Sequence, residues 1–104
     1  MQTKITVQDL LKAAPTRTWI DVRKPMARET SGEDMPGAVW RHPFEAAHWA
    51  PEFTGQRLVV FCVHGHEVSH AVAGFLRDEG FDVLVLEGGF EAWRTAGQSV
   101  VARS

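Results

Sequence analysis

One cysteine, Cys62, ends the apolar run Leu58-Val59-Val60-Phe61-Cys62, and the stretch Val63-His64-Gly65-His66-Glu67 follows before helical spacing sets in at Val68. Two readings of such a thiol compete. Most free cysteines are small core hydrophobes. A cysteine at the exit of a buried strand, just before a helix, is also well placed to act as a nucleophile. Gly65 lets the backbone curl, so successive loop amides and the first turn of the next helix can converge on one spot. The positive end of that helix then faces the sulfur and favours the thiolate, along with any anion bound against it. The loop therefore predicts a nucleophilic Cys62 near neutral pH with no adjacent base. Val63, His64, Gly65, His66, Glu67 and Val68 become its candidate anion-binding shell.

Asp21 and Arg23 end another β-patterned stretch, and both are expected beside the same site. Arg23 reads either as a contact for an anionic donor or as half of a structural ion pair with Asp21. His64, His66 and His70 have a spacing that could suggest metal ligation. A cradle of amides aimed at one sulfur is a poor cation site, and closed zinc sites draw ligands from several segments, so no metal is expected. Trp19, Trp40, Trp49 and Trp93 read as packing residues. Glu67 reads as a carboxylate favourable to a helix N-terminus, and Ser69 as a local hydrogen-bonding residue of that first turn.

The elements that must hold these residues alternate between strand and helix. Thr6 and Asp9 resemble a capping box, with Val7, Leu10 and Leu11 as an apolar helical face and Pro15 as the stop. Thr18 to Val22 is a buried strand, Pro25 opens a short helix over Met26 to Thr30, and Ala38 to Trp40 is a short strand. Pro43 is expected to open a helix with Phe44, Ala47 and Trp49 inward, and Pro51 to stop it. Leu58 to Cys62 suits a central strand covered on both faces. Val68 to Glu79 is a helix with Gly80 at its C-terminus, Phe81 to Leu86 a strand, and Phe90 to Ala96 a last helix closed by Gly97. The alternation predicts an open, mostly parallel α/β sheet, with ligand beyond the carboxyl ends of the strands. The tail from Gln98 carries no pattern.

Composition bounds the remaining classes. The chain has 104 residues, enough for one domain, with 44% hydrophobic and 23% charged residues. The net charge of −2 argues against a broadly basic nucleic-acid or membrane surface. No apolar run approaches a membrane span, and the first residues carry no secretory pattern. A single cysteine excludes an intramolecular disulfide and fits a reducing, cytoplasmic setting.

Four stretches, in order, resemble the motifs of single-domain rhodaneses, the thiosulfate sulfurtransferase family. Asp21-Val22-Arg23 is similar to the family's Asp-Val-Arg. Met35-Pro36-Gly37-Ala38-Val39 is similar to its Ile-Pro-Gly-Ala-Ile. Val59 to Ser69 resembles its strand, catalytic cysteine and glycine-containing loop. Leu86-Glu87-Gly88-Gly89-Phe90-Glu91-Ala92-Trp93 resembles its Gly-Gly…Trp signature. The match runs from about residue 5 to 97, within a single domain spanning 1–104.

The resemblance implies a rhodanese-like α/β fold, with a five-stranded sheet flanked by helices on both faces. It implies a ping-pong reaction in which Cys62 takes a sulfane sulfur from a small sulfur-containing anion, such as thiosulfate, or from a persulfide. Cys62 then passes that sulfur to a thiol or cyanide-like acceptor, or to a protein sulfur partner. No cofactor is needed, since the cysteine carries the sulfur. Substrate contacts fall on Val63, His64, Gly65, His66, Glu67, Val68 and Arg23. A non-turnover sulfur carrier or binding module of the same fold is the first alternative. A Cdc25-type phosphatase or arsenate reductase is the second. That type has a longer loop with an arginine six positions after the cysteine, and Val68 stands there. The loop also lacks a fixed cation and carries Glu67, so dianionic thiosulfate is expected to be a mediocre donor.

Overall fold

The computed structural model describes residues 3–13 and 16–103. In chain order the elements are β1 (Lys4–Ile5), α1 (Val7–Ala13), β2 (Thr18–Asp21), α2 (Pro25–Ser31), β3 (Glu33–Asp34), β4 (Val39–Trp40), α3 (Ala46–Trp49), β5 (Leu58–Phe61), α4 (Glu67–Asp78), β6 (Val83–Leu86), α5 (Gly89–Thr95) and β7 (Val101–Ala102). Five strands form one sheet in the order β1-β6-β5-β2-β4, and every neighbouring pair is parallel. The expected parallel α/β architecture is therefore present.

The central position of β5 explains its unbroken apolar run. Leu58 and Val60 join a core with Trp49, Phe53, Val72 and Leu76, while Val59 and Phe61 join a second core with Val7, Leu10, Phe90 and Trp93. A strand covered on both faces has no polar side to alternate with. The two cores place α3 and α4 on one face of the sheet and α1 and α5 on the other.

Local signals set the ends of these elements. The Asp9 amide donates to Thr6 Oγ1 at 3.1 Å, capping α1 as the sequence implied. At the end of α4 the Phe81 amide reaches Leu76 O at 3.0 Å and the Gly80 amide reaches Arg77 O at 2.9 Å. This is a Schellman closure, and Gly80 supplies the left-handed residue it needs. Pro15, expected to end α1, lies outside the described residues.

Three expectations need correction. Leu11 is 41% exposed rather than part of the inward face of α1. The third helix begins at Ala46, not Pro43. Phe44 is 72% exposed, Ala47 is also exposed, and Ala46 and Trp49 are the buried pair. Pro51 does not stop the chain's helical course but sits at the start of a 3₁₀ turn, Ala50–Phe53. Proline needs no amide partner there and its fixed φ suits a first turn. The tail also has structure: β7 pairs antiparallel with β3, Asp34 opposite Val101. That pairing joins two half-buried acidic residues of β3 to two exposed residues of β7, which leaves no apolar alternation to read.

Candidate active site

Cys62 follows directly on β5 and is 6% exposed. Its carbonyl accepts the Phe90 amide at 2.8 Å, and the Val63 carbonyl accepts the Glu91 amide at 3.0 Å. The first turn of α5 thus holds the cysteine loop from behind. The approach is close enough that two glycines are required. Gly65 has φ +73°, and a Cβ there would lie 2.8 Å from the Gly88 nitrogen and 3.0 Å from the Leu86 oxygen. Gly89 has φ +61°, and a Cβ there would collide with the Cys62 carbonyl oxygen and lie 2.7 Å from the Gly65 nitrogen. In the sequence Gly88-Gly89 stands out only as part of the resembling Gly-Gly…Trp stretch. The backbone-to-backbone contact between α5 and the loop joins segments more than twenty positions apart, so no local pattern announces it.

Polar groups gather on the sulfur side. Ser69 is fully buried in the first turn of α4, and its Oγ lies 3.1 Å from Cys62 Sγ. The thiol donates in this pair; a thiolate would instead accept the serine hydroxyl's hydrogen. Ser69 is therefore not the purely local residue the sequence suggested. Among the described residues, none of the amides from Val63 to Ser69 donates to a backbone carbonyl, and the series resumes with His70 to His66 at 3.3 Å. Amides left without backbone partners, leading into a helix N-terminus, are the kind of donors an anion can use.

The predicted residues come together. Cys62, Val63, His64, His66, Glu67, Val68 and Arg23 line one cavity of about 480 Å³, open to solvent. Gly65 does not line it and acts from behind, through the contact just described. His64 and His66 are exposed, with ring centroids 6.3 Å apart. No three His, Cys, Asp or Glu side chains among the described residues group as metal ligands. Lys24 and Ala27 complete the wall from the N-terminal end of α2. The sequence reading weighed Arg23 but not its neighbour Lys24, whose place on the wall comes from the packing of α2. Trp40 is not in the wall; its Nε1 donates to Arg23 O at 2.9 Å.

Arg23 is 1% exposed and mostly committed to the scaffold. Its Nη2 meets Asp21 at 2.7 Å and Asp34 at 2.9 Å, and its Nε donates to Asp21 at 3.0 Å. The guanidinium also lies 4.2 Å above the Phe90 ring. Its Nη1 is buried with no partner among the described residues. Asp34 is shared with Arg28 at 2.8 Å. The hydrogen bond from Arg28, aided by the charges of Arg28 and Arg23, outweighs partial burial and holds the Asp34 carboxyl below its usual range. The same bond raises Arg28.

The structure thus defines the class as an open parallel α/β protein with a buried cysteine directly after its central strand and a solvent-open cavity lined by that cysteine. The comparisons narrow that class. The model of the rhodanese-like domain matches residues 4–96. Thiosulfate sulfurtransferase GlpE of Pseudomonas syringae is 38% identical over 78 residues, covering 73% of this chain and 71% of the relative. The GlpE of Pseudoalteromonas translucida is 32% identical over 85 residues, covering 80% and 78%. The crystal structure of a rhodanese-related protein from Thermoplasma volcanium superposes with a TM-score of 0.84 at 25% identity, covering 97% of this chain and 99% of that one. The chain belongs to the rhodanese-like domain family, and its relatives support a sulfurtransferase-type function. No helix among the described residues is long and apolar enough to cross a membrane.

Proposed function

We propose that this protein is a cytoplasmic sulfurtransferase whose Cys62 carries a sulfane sulfur as a persulfide. What carries this reading is the placement of the Cys62 sulfur beside the buried Ser69 hydroxyl, within a curl of unengaged amides at the cavity. In the first half-reaction the Cys62 thiolate attacks the outer sulfur of the donor. The donor's S–S bond breaks, and sulfite leaves from thiosulfate, or a thiolate from a persulfide, with the bonding pair. The persulfide anion left on Cys62 is held by the amides of Val63 to Val68, preorganised where the charge settles. In the second half-reaction a thiol or cyanide-like acceptor, or the cysteine of a protein sulfur partner, attacks that outer sulfur and Cys62 departs as the thiolate. Electrons balance in both halves without an external oxidant or reductant.

His64 and His66 shape the mouth. Arg23 contributes its positive charge from the cavity wall, with Nε and Nη2 occupied by Asp21 and Asp34 and Nη1 buried. Val68 and Glu67 offer no cation for a phosphoryl group, which disfavours phosphate-ester hydrolysis. Steady-state formation of thiocyanate from thiosulfate and cyanide tests the reading. Turnover by wild type and none by Cys62→Ser is expected. A single loading without turnover would make the protein a carrier. Phosphate release from an aryl phosphate would replace the reading altogether.

A further inference from the structure

Charges around the cavity do not all find partners within the protein. Arg23 is paired with Asp21 and Asp34, and Arg28 with Asp34. Lys24 and Glu67 are different. Both line the cavity, Lys24 at the start of α2 and Glu67 at the start of α4. Both are exposed, and neither forms an ion pair among the described residues. Lys24 Nζ lies 5.9 Å from the centroid of the Phe44 ring, a contact that leaves its hydrogens available to a ligand. The same wall also carries the apolar side chains of Ala27, Val63 and Val68. The volume of about 480 Å³ suits an organic ligand rather than a small inorganic anion.

We propose that the preferred sulfur donor is a zwitterionic amino-acid persulfide, its carboxylate at Lys24 and its ammonium at Glu67. This rests on the sulfurtransferase reading and names its substrate class. A dianion such as thiosulfate matches Lys24 but opposes Glu67, whereas a zwitterion satisfies both and lays its carbon stem on the apolar wall. Transfer is balanced: the Cys62 thiolate forms a bond to the terminal sulfur of the persulfide, the donor's own S–S bond breaks, and the amino-acid thiolate leaves and takes up a proton.

The test compares loading rates of Cys62 by three donors. They are cysteine persulfide, cysteamine persulfide, which lacks the carboxylate, and 3-mercaptopropionate persulfide, which lacks the ammonium. Thiosulfate serves as a reference. Wild type should favour cysteine persulfide over each truncated donor by about fivefold, the size of a charge contact at a solvent-open mouth. Lys24→Ala should erase the advantage over cysteamine persulfide and keep that over 3-mercaptopropionate persulfide; Glu67→Gln should do the reverse. Both side chains are exposed, so both variants should fold. Equal loading of wild type by all three persulfides overturns the proposal, as does an equal fall for all three in either variant. Either result leaves sulfur transfer by Cys62 intact. Failure of every donor, thiosulfate included, to load wild type would instead remove the sulfurtransferase reading and this proposal with it.

Discussion

Two neighbouring strands end side by side and are finished in opposite ways. Asp21 ends β2 and Arg23 follows it, both buried and paired, with Arg23 bound also to Asp34 and lying over the Phe90 ring. After β5 come Cys62 and a run of amides with no backbone partners among the described residues. The first end spends its polar groups on the fold, all but Arg23 Nη1, because a buried charge left alone is costly. The second leaves donors unengaged, which is tolerable only where solvent or a ligand can reach them. Phe90 joins the two: its amide holds the Cys62 carbonyl, and its ring lies beneath the Arg23 guanidinium. The lesson is that the saturated end gives the unsaturated one its rigidity.

Breaking the saturated end should damage stability most. Asp21→Asn removes the closer of the two carboxylates on the buried Arg23 charge, leaving Asp34, and should lower unfolding free energy by about 3 kcal/mol in denaturant titrations. The next effect comes where the two ends meet. Gly65→Val forces a β-branched residue to positive φ, at about 1–3 kcal/mol for conformation alone, and drives its Cβ against the backbone of Gly88. Loss of both stability and sulfur transfer is expected, and a variant with wild-type melting and kinetics would show that the α5–loop contact does not matter.

Asp34 gives a pH signature for the scaffold. Its folded-state carboxyl is held below the ordinary value of 3.8, chiefly by Arg28. A lowered folded value means that its contribution is present above about pH 4 and is lost as pH falls through the folded value. Asp34→Asn should therefore be less stable than wild type at neutral pH by about 1–2 kcal/mol, with the gap closing in acid. A constant gap across that range would contradict this. The smallest effect belongs to the unsaturated end. Glu67→Arg should raise the efficiency ratio of thiosulfate to an uncharged donor by about fivefold, with a loss of about 1 kcal/mol in stability from placing a cation at the α4 N-terminus. An unmoved ratio would mean that Glu67 does not face the donor.

The saturated and unsaturated ends were not equally legible. The continuous run Leu58 to Phe61, the glycine loop and the apolar spacing of α4 are local signals, and they located Cys62 and its shell directly. The ambiguity at Arg23 could not be resolved from spacing, because its second acid, Asp34, arrives from β3, an element with no sequence pattern. Lys24, Ser69 and Gly89 were missed as site residues for a common reason. Each acquires its place through packing: α2 against the cavity, the first turn of α4 folding back over the sulfur, and α5 against the cysteine loop. Pairing of β3 with the tail was likewise invisible, since it rests on backbone alone.

Intact mass spectrometry after exposure to a sulfane-sulfur donor tests the central claim most directly. Wild type should gain the mass of one sulfur atom, removable by dithiothreitol or cyanide, and Cys62→Ser should gain none. A serine variant that still takes up and transfers sulfur would contradict the assignment of Cys62 as the carrier.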